Sequence, residues 1–153
     1  MVQLDPVNAQ LLLQIYEVRR EEKLRRAREW LIGNFWAENL EEFAVACTPG
    51  SDENTYYRMT TSYWEMVASI VNRGMIDEEL YFENNGEGLL VWMRVRKVAL
   101  QMRKARKNPL ILRNLERLSK KQQKWFEAQA PGALDETLKM LGAMRKAPAG
   151  PGL

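Results

Sequence analysis

The sequence predicts an all-α protein, an elongated helical bundle of about five to six helices forming one domain over residues 1–146. Three observations predict this class. Apolar residues recur at three- and four-residue spacing through most of the 153-residue chain. Asn, Asp, Pro and Gly stand between those stretches, where helices start and stop. No stretch sustains the apolar–polar alternation of a half-buried strand.

Asp5-Pro6 opens the first helix, since Asp accepts a backbone bond at the N-cap and Pro suits the first turn. Leu4, Leu11 and Val18 recur every seven residues, with Val7 and Ile15 alongside, giving a narrow apolar seam suited to one neighbouring helix. The charged run Arg19–Glu29 continues the helix through the i,i+4 pairs Glu21–Arg25 and Glu22–Arg26. One helix is therefore expected from about Pro6 to Ile32, roughly 40 Å long at 1.5 Å per residue. That length is the reason to expect an elongated bundle.

Gly33-Asn34 marks a bend, and Asn39 caps a short helix through Cys47 with Glu41 and Glu42 in its first turn. Thr48–Ser51 reads as a turn. From about Glu53 to Asn72 apolar residues wrap most of a helix: Tyr56, Met59, Tyr63, Val67 and Ile70, with Trp64, Ala68 and Val71 beside them. An all-round apolar helix belongs at the centre. Gly74 ends it in a left-handed cap, and Asp77 caps the next short helix.

Asn84–Gly88 interrupts the pattern before a helix runs to Lys107 on a stripe of Val91, Val95, Val98, Met102 and Ala105. Asn108-Pro109 separates it from a helix over Leu110–Phe126 with the seam Ile111, Leu115, Leu118 and Trp125. After Pro131-Gly132, Leu134, Leu138 and Leu141 make a last short helix. The Pro/Gly tail 147–153 is expected to be disordered.

Composition narrows the chemistry. The chain has no histidine and one cysteine, Cys47. Imidazole ligands, His-activated nucleophiles, intramolecular disulfides and multi-cysteine zinc sites are thereby excluded. The expectation is a protein without catalytic residues, bound metal or cofactor. The longest charge-free run, Pro6–Tyr16, is eleven residues, about half of what a membrane-spanning helix needs. No Lys or Arg precedes Arg19, so the basic start of a secretory signal is missing. The expected compartment is the cytoplasm.

The net charge of +3 conceals a segregation. Ala37–Glu87 holds eleven acidic residues and two basic ones, whereas Arg94–Lys124 holds twelve basic residues and Glu116. Such a division points to a charged partner or to one part of the fold docking on another.

Ser62-Tyr63-Trp64-Glu65-Met66-Val67-Ala68-Ser69-Ile70-Val71-Asn72-Arg73-Gly74-Met75-Ile76-Asp77-Glu78-Glu79-Leu80 pairs an aromatic-rich helix with a Gly-x-Ile-Asp-x-x-Leu turn into the next. This stretch, with Asn8–Leu11 and Tyr16–Arg20, resembles a group of small helical bacterial proteins catalogued only as domains of unknown function. The resemblance implies a bacterial helical protein and supplies no activity, cofactor or catalytic residue. The turn has its own physical reading in a Gly cap, an apolar Ile76 packing back and an Asp N-cap.

The basic stripe is the sharpest candidate site. At 100° per residue, Arg113, Arg117, Lys120, Lys121 and Lys124 fall on one face, opposite the apolar seam. The preceding helix adds Arg96, Lys97, Arg103, Lys104, Arg106 and Lys107. Clustered cations of this kind contact phosphates or an anionic membrane surface. A solvated face that pairs with the acidic segment explains them as well, and no nucleic-acid fingerprint accompanies them. Arg96, Arg103, Lys107, Arg113, Arg117, Lys120, Lys121 and Lys124 are the candidate anion contacts. Leu4, Leu11 and Val18 are the candidate self-association residues.

Other motifs reduce to ordinary roles. Glu79 and Glu83, one turn apart, fit acid–base or cation chemistry, but acidic residues near a helix start are mostly dipole partners. A calcium loop counted from Glu83 fails at position 12, which is Arg94. The tryptophans at 30, 36, 64, 92 and 125 read as core, with an aromatic-lined ligand pocket as the alternative. Cys47 reads as a small buried hydrophobe beside Glu41 and Glu42. Two functions result: a non-enzymatic assembly protein binding itself or another protein, or a nucleic-acid-associated protein using residues 94–124.

Overall fold

The structure, a computed structural model, describes residues 4–143 and Arg145; the tail expected to be disordered lies outside the described residues. Among the described residues it is all-α, with eight helices and no strand. They are α1 (Val7–Arg19), α2 (Glu22–Asn34), α3 (Leu40–Ala46), α4 (Asp52–Asn72), α5 (Glu78–Asn84), α6 (Glu87–Ala105), α7 (Arg113–Gln129) and α8 (Ala133–Ala143). The predicted class holds, while the count of five to six is too low.

Part of the difference arises where one long helix was expected. The chain breaks at Arg20-Glu21, where Glu21 leaves helical geometry at φ −53° and ψ 136°. Its carboxylate accepts from the Lys23 N–H at 3.0 Å and the Leu24 N–H at 2.9 Å, capping α2. Those two bonds hold the Glu21 carboxyl below the usual carboxylate range. Of the two ion pairs expected to carry the helix through, Glu22–Arg26 forms at 2.6 Å. Arg25 instead donates to the Arg20 carbonyl at 3.3 Å. The Glu21 carboxylate and two orphan N–H groups outweigh continuity, and the 40 Å span that argued for elongation is gone.

The remaining boundaries follow local chemistry. The Asn39 side chain caps α3 at Glu42 N–H (2.8 Å), and Ser51 caps α4 at Asn54 N–H (3.1 Å). Gly74 at φ +79° closes α4, Ile76 packs back fully buried, and Asp77 caps α5 at the Leu80 N–H, 2.9 Å. The α6–α7 junction is less regular than predicted. α6 ends at Ala105, which is exposed, and α7 begins only at Arg113 because Lys107 and Leu112 adopt left-handed φ values of 50° and 53°.

α4 is the centre, in contact with α2, α5, α6 and α7, as its all-round apolar surface predicts. Trp64, Val67, Ala68 and Val71 from α4 meet Leu31, Phe35, Val91, Val95, Val98, Leu115 and Leu118 in one core. Full burial contributes about 1.5–3 kcal/mol for each large apolar side chain. Gly88, in the first turn of α6, lets that helix approach the core closely. A Cβ there would lie 3.0 Å from both the Trp64 ring and the Tyr81 hydroxyl.

Two carboxylates lock helix ends across the fold. Glu87 takes a forked pair of bonds from Arg28 (Nε 2.6 Å, Nη2 2.7 Å), and Arg28 Nη1 donates to the Arg19 carbonyl at 2.7 Å. The end of α1, the middle of α2 and the start of α6 are thus joined. Glu65 of α4 accepts from the Asn114 and Leu115 N–H groups at 3.0 and 2.7 Å, and so caps α7 from another helix. The site does for α7 what Leu112, its left-handed neighbour without a polar side chain, is unable to do.

Candidate interaction surfaces

α1 lies on the outside of the bundle. Its residues Val7-Asn8-Ala9-Gln10-Leu11-Leu12-Leu13-Gln14-Ile15-Tyr16 are apolar apart from Asn8, Gln10 and Gln14, yet Ile15 is its one buried side chain, with Leu11 and Leu12 half-buried. Besides the Arg28 bond to its last carbonyl, two polar bonds fasten it: Tyr63 Oη donates to the Ile15 carbonyl at 2.6 Å, and the Asp77 N–H donates to Asn8 Oδ1 at 2.8 Å. Burial pushes the Tyr63 phenol up to about 12. Of the predicted seam, Leu11 is half-buried, while Leu4 and Val18 are 43% and 52% exposed.

The seam flanks an open apolar groove against α4. Leu11, Ile15 and Val18 form one wall, and Tyr63, Met66 and Ile70 form the other. The groove continues past Val18 and Met66 towards Leu24 and Met59. Met66 is exposed, and Leu13 and Tyr16 extend the apolar surface onto the far side of α1. Sequence reading missed Met66, Leu13 and Tyr16. Apolarity all round α4 hid which of its residues would remain uncovered. For the other two the signal was the spread of apolar residues well beyond the Leu11–Ile15–Val18 side of α1, with Gln10, Gln14 and Glu17 as a narrow polar strip.

The basic stripe divides on inspection. Arg103 is turned inward with 15% of its side chain exposed, its Nε donating to the Ile111 carbonyl at 2.8 Å and its Nη1 to Glu116 at 2.9 Å. Burial alone would raise the Glu116 carboxyl, but Arg103 and Lys120 outweigh it and hold that group below its ordinary value. Lys120 also reaches Glu116 (3.4 Å), Lys121 pairs with Glu78 (2.6 Å) and Lys97 with Glu38 (3.2 Å). The last two join the basic segment to the acidic one. Arg96, Lys107, Arg113, Arg117 and Lys124 are exposed and make no ion pair among the described residues.

Elsewhere, Glu79 and Glu83 are both exposed, and the described residues contain no group of three or more Asp, Glu or Cys able to hold a metal ion. Cys47 is buried, and burial first, then the charge of Glu53 rather than of Glu41 or Glu42, pushes its thiol up to about 12. No helix among the described residues is long and apolar enough to cross a membrane.

The chain belongs to the family described as Domain of unknown function (DUF4760), whose model matches residues 6–125. The stretch that carried the resemblance, Ser62–Leu80, falls inside that span, which takes in α1 through most of α7 and leaves α8 outside. No curated protein and no solved structure matches the chain.

Proposed function

We propose that this member of the family is a non-enzymatic helical assembly protein of the bacterial cytoplasm, and that its partner across α1 and α4 is a second copy of the same chain. The observation that carries this reading is α1 itself, which buries Ile15 and half-buries Leu11 and Leu12 but leaves Val7, Leu13, Tyr16 and Val18 exposed. A helix of that composition is normally covered. The occupant follows from the spacing of the seam. Residues seven apart on each side of Leu11 are matched under a two-fold rotation, so an antiparallel pair sets Leu4 beside Val18 of the other copy and Leu11 beside its equivalent. Closed two-fold pairing of one patch with itself is the commonest form of assembly. Met59 and Met66, flexible and polarisable, suit the groove wall to such a contact.

Disulfide trapping tests the register. Leu4 precedes α1 and Val18 stands in its last turn; the eleven residue steps from Val7 to Val18 alone rise about 16 Å, whereas a disulfide needs Cα atoms within about 7 Å. In the Leu4→Cys/Val18→Cys variant an intrachain bond is therefore out of reach, and mild oxidation is expected to give a covalent dimer. Val45→Cys, exposed on α3, serves as the collision control. Cross-linking no faster than that control contradicts the proposed pairing.

A second reading rests on the exposed cations of α6 and α7. Arg96, Lys107, Arg113, Arg117 and Lys124 lack carboxylate partners among the described residues and fit sequence-independent phosphate binding. Five such contacts to duplex DNA give a log–log salt slope of about −4.5. Binding that is absent at low salt, or unaffected by Arg113→Glu/Arg117→Glu, removes this reading.

A further inference from the structure

α8 faces the end of α2, the segment following it and the first half of α6 across a partly open cavity of about 170 Å3. Ile32 and Trp36 form one side, Leu90 and Met93 another, and Leu138 and Leu141 of α8 the cover. The one charged group in this apolar lining is Arg94, whose guanidinium carbon sits 3.3 Å from the centre of the Trp36 ring. Arg145, just past α8, brings a second guanidinium to 5.0 Å from the same ring.

Two cations therefore share one tryptophan at the edge of an apolar cavity. Stacking on the ring stabilises each of them, but it does nothing for their mutual repulsion. Neither has a carboxylate within ion-pair distance among the described residues. Burial, and then the charge of Arg145, push the Arg94 pKa down, the direction expected where a cation lacks an anion. The contrast with Arg28 and Arg103 is direct, since Arg28 forks onto Glu87 and Arg103 pairs with Glu116 through Nη1.

We propose that the cavity is a binding site for a small carboxylate with an apolar body, its carboxylate held by Arg94 and Arg145 and its body among Ile32, Leu90, Met93 and Leu138. Size and chemistry both set the class. A cavity of about 150 Å3 holds a benzene ring, so the space fits a single ring or a short acyl chain and excludes a nucleotide. Planar, forked donors match a carboxylate, and the lining offers an apolar body no polar competitor. Trp36 donates its indole N–H to the Gly33 carbonyl at 3.3 Å, so the indole is anchored beside the cavity rather than free to swing into it. α8 lies beyond residues 6–125, so in this reading the cover of the site is a feature of the chain outside the span its family shares.

The test is a titration of 15N-labelled full-length protein with sodium benzoate at constant sodium concentration, following the five indole N–H signals. Benzamide, of the same shape but neutral, is titrated in parallel. The expected result is a saturable shift confined mainly to Trp36, with benzamide at least tenfold weaker. Arg94→Met is expected to weaken benzoate at least tenfold, with its melting temperature giving an independent check on folding. No saturable shift up to about 10 mM benzoate (an affinity of roughly 3 kcal/mol or less), equal binding of benzoate and benzamide, or undiminished binding by a folded Arg94→Met protein would each overturn the proposal. The comparison between benzoate and benzamide uses the unaltered chain and decides the matter even if the variant fails to fold.

Discussion

Breaking the Arg28–Glu87 pair should weaken the fold more than any other single change of charge. The two side chains are 16% and 19% exposed, bonded through two N–H groups at 2.6 and 2.7 Å, and Trp64 Nε1 adds a third donor to Glu87 at 3.3 Å. An exposed pair is worth about 0–1 kcal/mol, whereas removing one partner of a fully buried pair costs about 3–5 kcal/mol. Glu87→Gln keeps the shape and one acceptor but leaves the guanidinium half-buried without its counter-ion, which places the cost at about 2 kcal/mol. Arg28→Met removes the same pair and also the donor to the Arg19 carbonyl, adding about 1 kcal/mol. With Arg28 gone, Glu87→Gln has little left to disturb, so the double variant should cost about 3 kcal/mol and the coupling should be about 2 kcal/mol. At about 2–4 °C per kcal/mol for a chain of this length, melting temperatures fall by roughly 4–8 °C for Glu87→Gln and 6–12 °C for Arg28→Met. Urea unfolding of the four proteins at one fixed protein concentration measures the cycle. Costs that add to within about 0.5 kcal/mol would mean that the pair is not coupled and that the two residues act separately.

Two further outcomes test the same picture of the fold. Glu65→Gln should destabilise the protein by about 1–2 kcal/mol and accelerate hydrogen exchange at the Leu115 amide, which donates to Glu65 at 2.7 Å; unchanged exchange there would contradict a cap supplied by α4. Cys47, its thiol raised to about 12 by burial and Glu53, should resist alkylation at pH 8 in native protein and react on unfolding, so rapid stoichiometric labelling of the folded chain would refute its placement.

Features set by short-range chemistry were legible in the sequence. Asn39, Gly74 and Asp77 end or start helices where the sequence places them, because a cap involves one side chain and backbone groups within a few residues. α4 was identifiable as the centre because its own circumference is apolar. The long first helix was misjudged at Glu21, whose carboxylate had two local partners to choose between, Arg25 and the backbone of α2; i,i+4 counting favours the first and the orphan N–H groups favour the second. Arg28–Glu87 and Glu65–Leu115 join residues about fifty or more positions apart, and nothing local marks either carboxylate. For the same reason the sequence treated Arg103 as one of a basic stripe, although the Ile111 carbonyl and Glu116 turn it inward. The seam Leu4/Leu11/Val18 was visible as periodicity, but its opposite wall, Met66 and Tyr63 of α4, becomes apparent only once the two helices lie side by side.

If α1 carries the surface through which two copies join, the mass of the protein in solution reports it. Light scattering on the unaltered chain at micromolar concentration should give twice the chain mass. The Leu4→Asp/Val18→Asp variant, altered where the side chains are exposed, should give a single chain mass with an unchanged helical spectrum. A single chain mass for the unaltered protein across that range, or a dimer that persists in the folded double variant, would contradict the account.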